Sequence, residues 1–467
     1  MVISSAETAG YYDDAIVNGV NAVGAQWLIA NGGLAVKIGS FVPEQAASVL
    51  YAMAGDDCSL HHDLSKLTPK QQVDHQENQV LTCALQVALT GLGKPNDYVA
   101  LSDPFVEDEW KNMLHQYAES FRAMGLETVP ECNWQYHPMN GYYESVATEP
   151  PAVDLLNLYM ISGSNAPLHA NAEALRISRN VNSKLHFAEN APLAGIPVPH
   201  TQIFLKQDIA NGAANDFYAA HPNGVMVKLL GLAGSRNVFP TTSAADCLEQ
   251  IAEYDSGIEV LLQEKLDTQV WQEMTVDLTI TPDTVEISNV RKILFAGGKW
   301  VGNYIAPDLL VSDAHADVLI AVGNYARAQG HVADEGVNCG IDYFIKGDEV
   351  IVTEINARWT GGLFPAEFLR RLRVSQPAVA FFDMIPCAHR DAFMAFQAKH
   401  LFPSTGSSFG YLPMGFTPFA MEIDGVECFI VWQVVTGDFG AFVESRDASL
   451  PAASFPTATL ILKESLS

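Results

Sequence analysis

EVIVTEINARWTGG, residues 349–362, spends alternate positions on Glu354, Asn356 and Arg358 just before a Gly-Gly pair. Side chains two apart on a strand share a face, about 6.6 Å from one another. Read as an unbroken strand, Val350, Val352, Glu354, Asn356 and Arg358 lie on one face. Ile351, Thr353, Ile355 and Ala357 lie on the other. A carboxylate, an amide and a guanidinium then point one way. Alone, the pattern also fits a solvated strand end, so its neighbours decide its meaning.

Upstream, the segment 340–359 reads GIDYFIKGDEVIVTEINARW, a hairpin around Lys346-Gly347-Asp348. Placing Asp342 opposite Glu354 requires a loop with an odd number of residues. A three-residue loop, Gly347-Asp348-Glu349, satisfies this. A slip of one residue would send Asp342 to the other face. In this register Asp342, Glu354 and Asn356 converge as hard oxygen ligands. That set suits Mg²⁺, with Mn²⁺ as the alternative, because the ion keeps waters and completes its shell with phosphate oxygens. Arg358 suits a phosphoryl oxygen. The constellation therefore asks for a nucleoside triphosphate.

The chain has 467 residues, enough for two or three domains, with 48% apolar and 17% charged residues. Its formal charge of −28 opposes non-specific binding to nucleic acid or anionic lipid. Seven scattered cysteines without a CxxC pair predict a reduced, cytoplasmic chain. The first residues carry no secretory pattern, and no apolar run approaches the roughly 18 residues of a membrane span.

Along the chain, 97–105 predicts a strand, 107–125 a helix stopped by Gly125, and 126–131 a further strand. This βαβ pattern implies a parallel sheet. The Pro pair at 150–151 predicts the far edge of that domain. The stretch 174–195 reads as mostly helical, and 224–239 reads as strand, glycine loop, strand. Strands are expected at 260–267 and 273–295, helices at 243–255 and 316–330, and a hairpin at 419–435. The Gly- and Ser-rich stretch 404–419 reads as loop. GSSFG at 406–410 matches a hydrolase nucleophile pattern, but no His follows His400. His61-His62 lacks further spaced ligands, and no P-loop is present.

Taken together, 180–360 resembles the ATP-grasp superfamily, over about 200 of the 467 residues. EINAR resembles its metal strand, and Asp342 in CGIDYF the preceding acidic ligand. SKLHFAENAPLAGIPVPHT resembles its lysine-bearing helix, with Lys184 eleven residues before Gly195. VMVKLLGLAGSRNV resembles its strand lysine, Lys228, followed by a glycine flap with Gly231, Gly234 and Ser235. LLQEKL resembles its adenine hinge, where Gln263, Glu264 and Leu266 would meet the base. Glu273 would take the ribose hydroxyls. Two features depart from the pattern. Arg236 stands in the short flap, and Gly340 stands where a basic residue is usual, so that Arg291 or Lys292 would replace it near the phosphates.

The resemblance implies an α/β and α+β chain. A pre-ATP-grasp-like domain would occupy 1–165, and an ATP-grasp domain 166–385, with subdomains 166–258 and 259–385. A C-terminal extension at 386–467 would pack on it. It further implies an ATP-dependent carboxylate–amine ligase that proceeds through an acyl phosphate and releases ADP, with Arg358 and Arg291 in catalysis. The substrates would be a small acid and an amine, such as amino acids or short peptides, and a homodimer is possible. A substrate carboxylate would sit on the backbone donors that open 360–374. The alternatives are a phosphotransferase, a thioester-forming ligase, or a nucleotide-binding scaffold without chemistry.

Overall fold

Strand periodicities build three sheets. The computed structural model describes residues 34–42, 45–55, 67–148, 150–159, 165–231, 237–296, 299–404, 406–423 and 425–450. The first sheet contains β1 (Ala35–Ile38), β2 (Val49–Ala52), β3 (Tyr98–Ser102), β4 (Trp134–His137) and β5 (Leu155–Leu158). It is parallel throughout, in the order β1-β5-β2-β3-β4. Helices α1 (Pro69–Leu92), α2 (Asp108–Met124) and α3 (Tyr142–Thr148) belong with it. Thr68 and Gln71 cap α1 reciprocally, and Gly125 ends α2 at φ 96°.

Two expectations fail here. Residues 126–131 are not a strand, and pairing begins only at Trp134. The Val129 N–H is taken by the Thr90 carbonyl at the end of α1, Pro130 has no N–H, and a 3₁₀ turn follows. The Pro pair does not end the domain either. It leads into β5, which lies between β1 and β2.

Helices α4 (Ala172–Val181) and α5 (Lys184–Asn190) connect this region to a small lobe. That lobe is an antiparallel sheet of β6 (Thr201–Leu205), β7 (Val225–Lys228), β8 (Val238–Thr241) and β9 (Glu259–Glu264), in the order β6-β9-β7-β8. Helices α6 (Lys206–Ala210), α7 (Asn215–Ala220) and α8 (Ala244–Gln250) complete it.

The largest sheet has nine strands: β10 (Gln272–Ile280), β11 (Val285–Ala296), β12 (Lys299–Ile305), β13 (Val337–Lys346), β14 (Glu349–Asn356), β15 (Ala378–Pro386), β16 (Phe409–Phe416), β17 (Met421–Ile423) and β18 (Val426–Gly437). Its order is β14-β13-β10-β11-β12-β15-β18-β16, with β17 on β18. Helices α9 (Asp313–Ala328), α10 (Leu363–Arg371), α11 (Arg390–His400) and α12 (Phe439–Ser449) complete the set. The sheet runs straight across position 385, through β15 into β18.

The stretch 404–419, expected as loop, contains β16, and all eight of its residues are buried. Its glycines reflect packing. A Cβ on Gly415 would lie 1.9 Å from the Ala84 carbonyl oxygen of α1. Pro413 is tolerated because β16 is an edge strand. Tyr117 and Trp110 of α2 pack on Phe416 at 4.9 and 6.2 Å, so one core joins the N-terminal helices to the C-terminal strands. A second core lies behind β10, β13 and β14, and a third fills the small lobe.

Two seams set the site. The Phe41 N–H donates to the Gly336 carbonyl and the Asn338 N–H to the Gly39 carbonyl, which ties the parallel sheet to the start of β13. The Val352 N–H of the edge strand β14 donates to the Pro197 carbonyl at the entry to the small lobe. Among the described residues no helix is long and apolar enough to cross a membrane, and the described cysteines form no disulfide.

Candidate functional site

The register of the β13–β14 hairpin decides the site. Asp342 does lie opposite Glu354, but by a different route from the one expected. Lys346 pairs with Glu349, so the turn is the two-residue Gly347-Asp348, with Gly347 at φ 60°. Tyr343 pairs with Val352 and Asp342 with Glu354, which leaves Thr353 as an extra residue in a β-bulge. The bulge reverses the alternation. Val350 and Val352 are buried in the same core as Ile355 and Ala357. Glu354, Asn356 and Arg358 emerge on the other face, not on that of Val350 and Val352. The expected pair is present, and the extra residue lies within the strand and not in the turn.

Across the sheet, Glu354, Asp342, Thr275 and Arg291 form one row, and Asn356, Gly340, Asp277 and Asn289 the next. Asn356 Nδ2 donates to Asp342 Oδ2 at 3.3 Å, and Arg358 Nη1 donates to Asn356 Oδ1 at 2.5 Å. Two lysines meet this face from outside it. Lys184, in the first turn of α5, places Nζ 3.4 Å from Glu354 Oε2. A lysine opposes the dipole at a helix N-terminus, and Glu354 offsets that. Lys228, on β7, is 6% exposed, and its Nζ donates to the Thr353 carbonyl at 3.1 Å. That carbonyl belongs to the bulged residue.

The charges here are strained towards neutrality. Burial, then the neighbouring Glu354 carboxylate, pushes the Asp342 carboxyl up. Burial, then Asp342, raises Glu273 to about 7. Burial lowers Lys228 to about 8, with Lys184 adding to the shift and Glu354 opposing it. Carboxylates that resist ionisation in company are those a cation would relieve. Among the described residues no three or more His, Cys, Asp or Glu side chains group as a metal cage. Two carboxylates and an amide fit an ion that takes the rest of its shell from phosphates and water. Asn356 Oδ1 would have to leave Arg358 to join them.

A narrow cleft separates the lobes, lined among others by Lys184, Phe187, Lys228, Gln263, Val352 and Thr353. Gln263 Nε2 donates to Thr201 Oγ1 at 3.1 Å. The Glu264 and Lys265 N–H groups are held by the His200 and Gly224 carbonyls, and Leu266 lies two residues past the end of β9. Gly231, at φ 75°, opens the flap, whose base is closed by Asn237 Nδ2 on the Leu230 and Gly231 carbonyls. Gly234 and Ser235 lie outside the described residues, as does His61-His62.

Arg291 and Lys292 separate. Arg291 faces the site but is 1% exposed, with Nη1 2.5 Å from Asp277 Oδ2. Lys292 takes the opposite face, its Nζ 6.0 Å above the Tyr304 ring. At the start of α10 the Leu363 N–H is already taken by the Thr360 carbonyl. Sequence reasoning passed over Asp277, Asn338 and Thr360. A signal existed for the first: in EMTVDLTI, Asp277 shares a face with Glu273 in a strand whose alternate residues Met274, Val276, Leu278 and Ile280 are core.

No family model and no curated protein matches the sequence. Solved structures do. The chain is similar to biotin carboxylase from Campylobacter jejuni in a βγ-ATP complex, at 10% identity and TM-score 0.51, covering 90% of this chain and 95% of that one. It is also similar to phosphoribosylamine–glycine ligase from Thermotoga maritima (12% identity, TM-score 0.48, 90% and 97% covered). A third is carboxyaminoimidazole ribonucleotide synthase from Aspergillus clavatus with ATP (14% identity, TM-score 0.45, 89% and 98% covered). With the biotin carboxylase matched over nine-tenths of the chain, the two lobes that meet at this cleft are those of the ATP-grasp fold.

Proposed function

We propose that the protein is an ATP- and Mg²⁺-dependent carboxylate–amine ligase. It activates a small acid as its acyl phosphate, joins it to an amine, and releases ADP and phosphate. One observation carries the reading. Asp342 and Glu354 stand side by side on the large sheet and are met across the cleft by Lys184 and Lys228.

In this reading Lys228 and Lys184 give up Thr353 and Glu354 for phosphate oxygens, and Gly231, Gly234 and Ser235 contribute to phosphate binding. Gln263, Glu264 and Leu266 line the base, and Glu273 borders the ribose end. Asp342, Glu354 and Asn356 hold the cation, which when bound neutralises charge building on the β–γ bridging oxygen. Arg358, released from Asn356, holds the transferred phosphoryl group while the amine approaches. Closure of the lobes excludes water from the acyl phosphate. The biotin carboxylase that shares the fold was solved with a βγ-ATP, which supports a triphosphate in the cleft. Amino acids and short peptides are the proposed substrate class.

The test is a pairwise screen of small acids and amines for ADP release, followed by oxygen-18 transfer from labelled carboxylate. Label is expected in inorganic phosphate. Label in AMP, with pyrophosphate as co-product, overturns the proposal.

A further inference from the structure

Asp277 is 0% exposed, and its carboxylate gathers donors from three other segments. Arg291 Nη1 lies 2.5 Å from Oδ2. Asn338 Nδ2 donates to Oδ1 at 2.9 Å. Thr360 Oγ1 donates to Oδ1 at 3.0 Å and stands 3.3 Å from Oδ2. Asn338 Nδ2 also reaches the Arg358 carbonyl at 2.8 Å. Thus one buried carboxylate holds the chain at Arg358 and just after it: at the Arg358 carbonyl through Asn338, and directly at Thr360.

Glycines fit the backbone to this frame. A Cβ on Gly340 would lie 2.3 Å from Thr360 Cγ2, so the residue that departs from the usual basic side chain makes room for Thr360. A Cβ on Gly362 would lie 2.4 Å from Arg291 Nε. The Gly361-Gly362 turn therefore rests directly on the guanidinium. Arg291 Nε has no hydrogen-bond partner among the described residues, because that backbone covers it.

A desolvated ion pair at a sheet centre is a poor source of stability, since apolar residues of similar volume serve as well or better. What it supplies is a fixed geometry. Resting on the nucleotide site proposed above, we propose that Asp277 is a positioning residue: through Asn338 and Thr360 it sets the Arg358–Gly362 segment and so aims the Arg358 guanidinium into the cleft. Arg291 is the counter-ion of this frame and not a phosphate contact.

The test uses the full-length protein and measures dissociation constants of Mg·ATP and Mg·ADP by calorimetry, alongside the melting temperature. Removing the Asp277 charge would strand a buried guanidinium, so the variants are the milder Thr360→Val and Asn338→Ala. The readout is the preference for ATP over ADP, which reports Arg358 at the terminal phosphate. Thr360→Val is expected to reduce that preference about fivefold, the net effect of one ordinary hydrogen bond. In an Arg358→Ala background the same change should alter it less than about twofold, because both substitutions remove one interaction. Variants that lower only the melting temperature overturn the inference, as do effects that persist undiminished without Arg358. A wild-type protein that binds both nucleotides equally overturns it too. A wild-type protein that binds neither rejects the nucleotide site itself.

Discussion

The large sheet contains two buried Arg–Asp pairs, and they do different things. At the cleft end, Asp277 binds Arg291 together with Asn338 and Thr360. At the C-terminal end, Asp383 on β15 binds Arg446 of α12, with Nε at 2.8 Å and Nη2 at 2.7 Å. Gln433 and the Met384 N–H also reach Asp383, and Tyr411 donates to Gln433 Oε1 at 2.6 Å. The chemistry is the same, and both carboxylates are fully buried. Every side-chain partner of the second pair among the described residues lies within 383–447, and its effect is to fasten a helix to the sheet. The partners of the first include the segment that bears Arg358. A buried ion pair is therefore to be judged by what its remaining lone pairs hold.

The largest expected effect tests the C-terminal pair. Arg446→Ala leaves Asp383 buried and unpaired and should cost about 3–5 kcal/mol in denaturant unfolding. Mg·ATP affinity of the folded protein should stay within about twofold, since no site residue touches the pair. Replacing both partners with apolar residues should restore most of the stability. A large loss of nucleotide affinity in the refolded double variant would erase the contrast between the two ends.

At the cleft end the effect should appear in chemistry and not in folding. Glu354→Gln keeps the size and removes a charge from the candidate metal pair. Mg²⁺-dependent turnover should fall about a hundredfold or more. Unchanged turnover at limiting Mg²⁺ would remove Glu354 from the site. Lys228→Met should weaken ATP binding about tenfold, as loss of a charge-assisted contact would. Stability should hold or rise, because an unfavourably buried ammonium is gone. Calorimetry and a melting curve on one sample check both.

The smallest effect is on pH dependence. Glu273 is raised from 4.5 to about 7, so the native state binds protons there that the unfolded state has already lost. Its contribution is therefore present below pH 4.5 and is lost as pH rises to about 7. Glu273→Gln should flatten the fall in melting temperature across that window. Mg²⁺ should stabilise the wild type more above the window than within it, because the ion competes with those protons. An equal Mg²⁺ shift on both sides would mean that the ion binds elsewhere.

The fold was legible where local chemistry repeats. Lys184, Lys228, the hinge and the hairpin each carry spacing and residue type that survive without context, and the structure brings them to one cleft. Two things were hidden. β16 was disguised by Gly410, Pro413 and Gly415, whose presence reflects the close approach of Phe402, an edge position and the close approach of α1, features fixed only by tertiary packing. The Asp277 frame was hidden because its members come from four strands and loops, more than 80 residues apart in sequence from Asp277 to Thr360. No periodicity links them. Arg291 shows the converse. Its charge and its strand are legible, yet charge alone does not reveal that the guanidinium pairs with Asp277.

The bulge at Thr353 has a consequence for how this strand can evolve. Substitutions along 349–358 change one contact each. A single deletion at 353 would keep every site residue and its order, and would restore strict alternation. Val352 would still face the core and Glu354 the cleft, with Ile355, Asn356, Ala357 and Arg358 on the faces they hold now. What would be lost is the bulged carbonyl that accepts from Lys228. The segment can therefore shed this one residue without turning the site over, and an alignment with a one-residue gap at 353 compares the same face of the sheet.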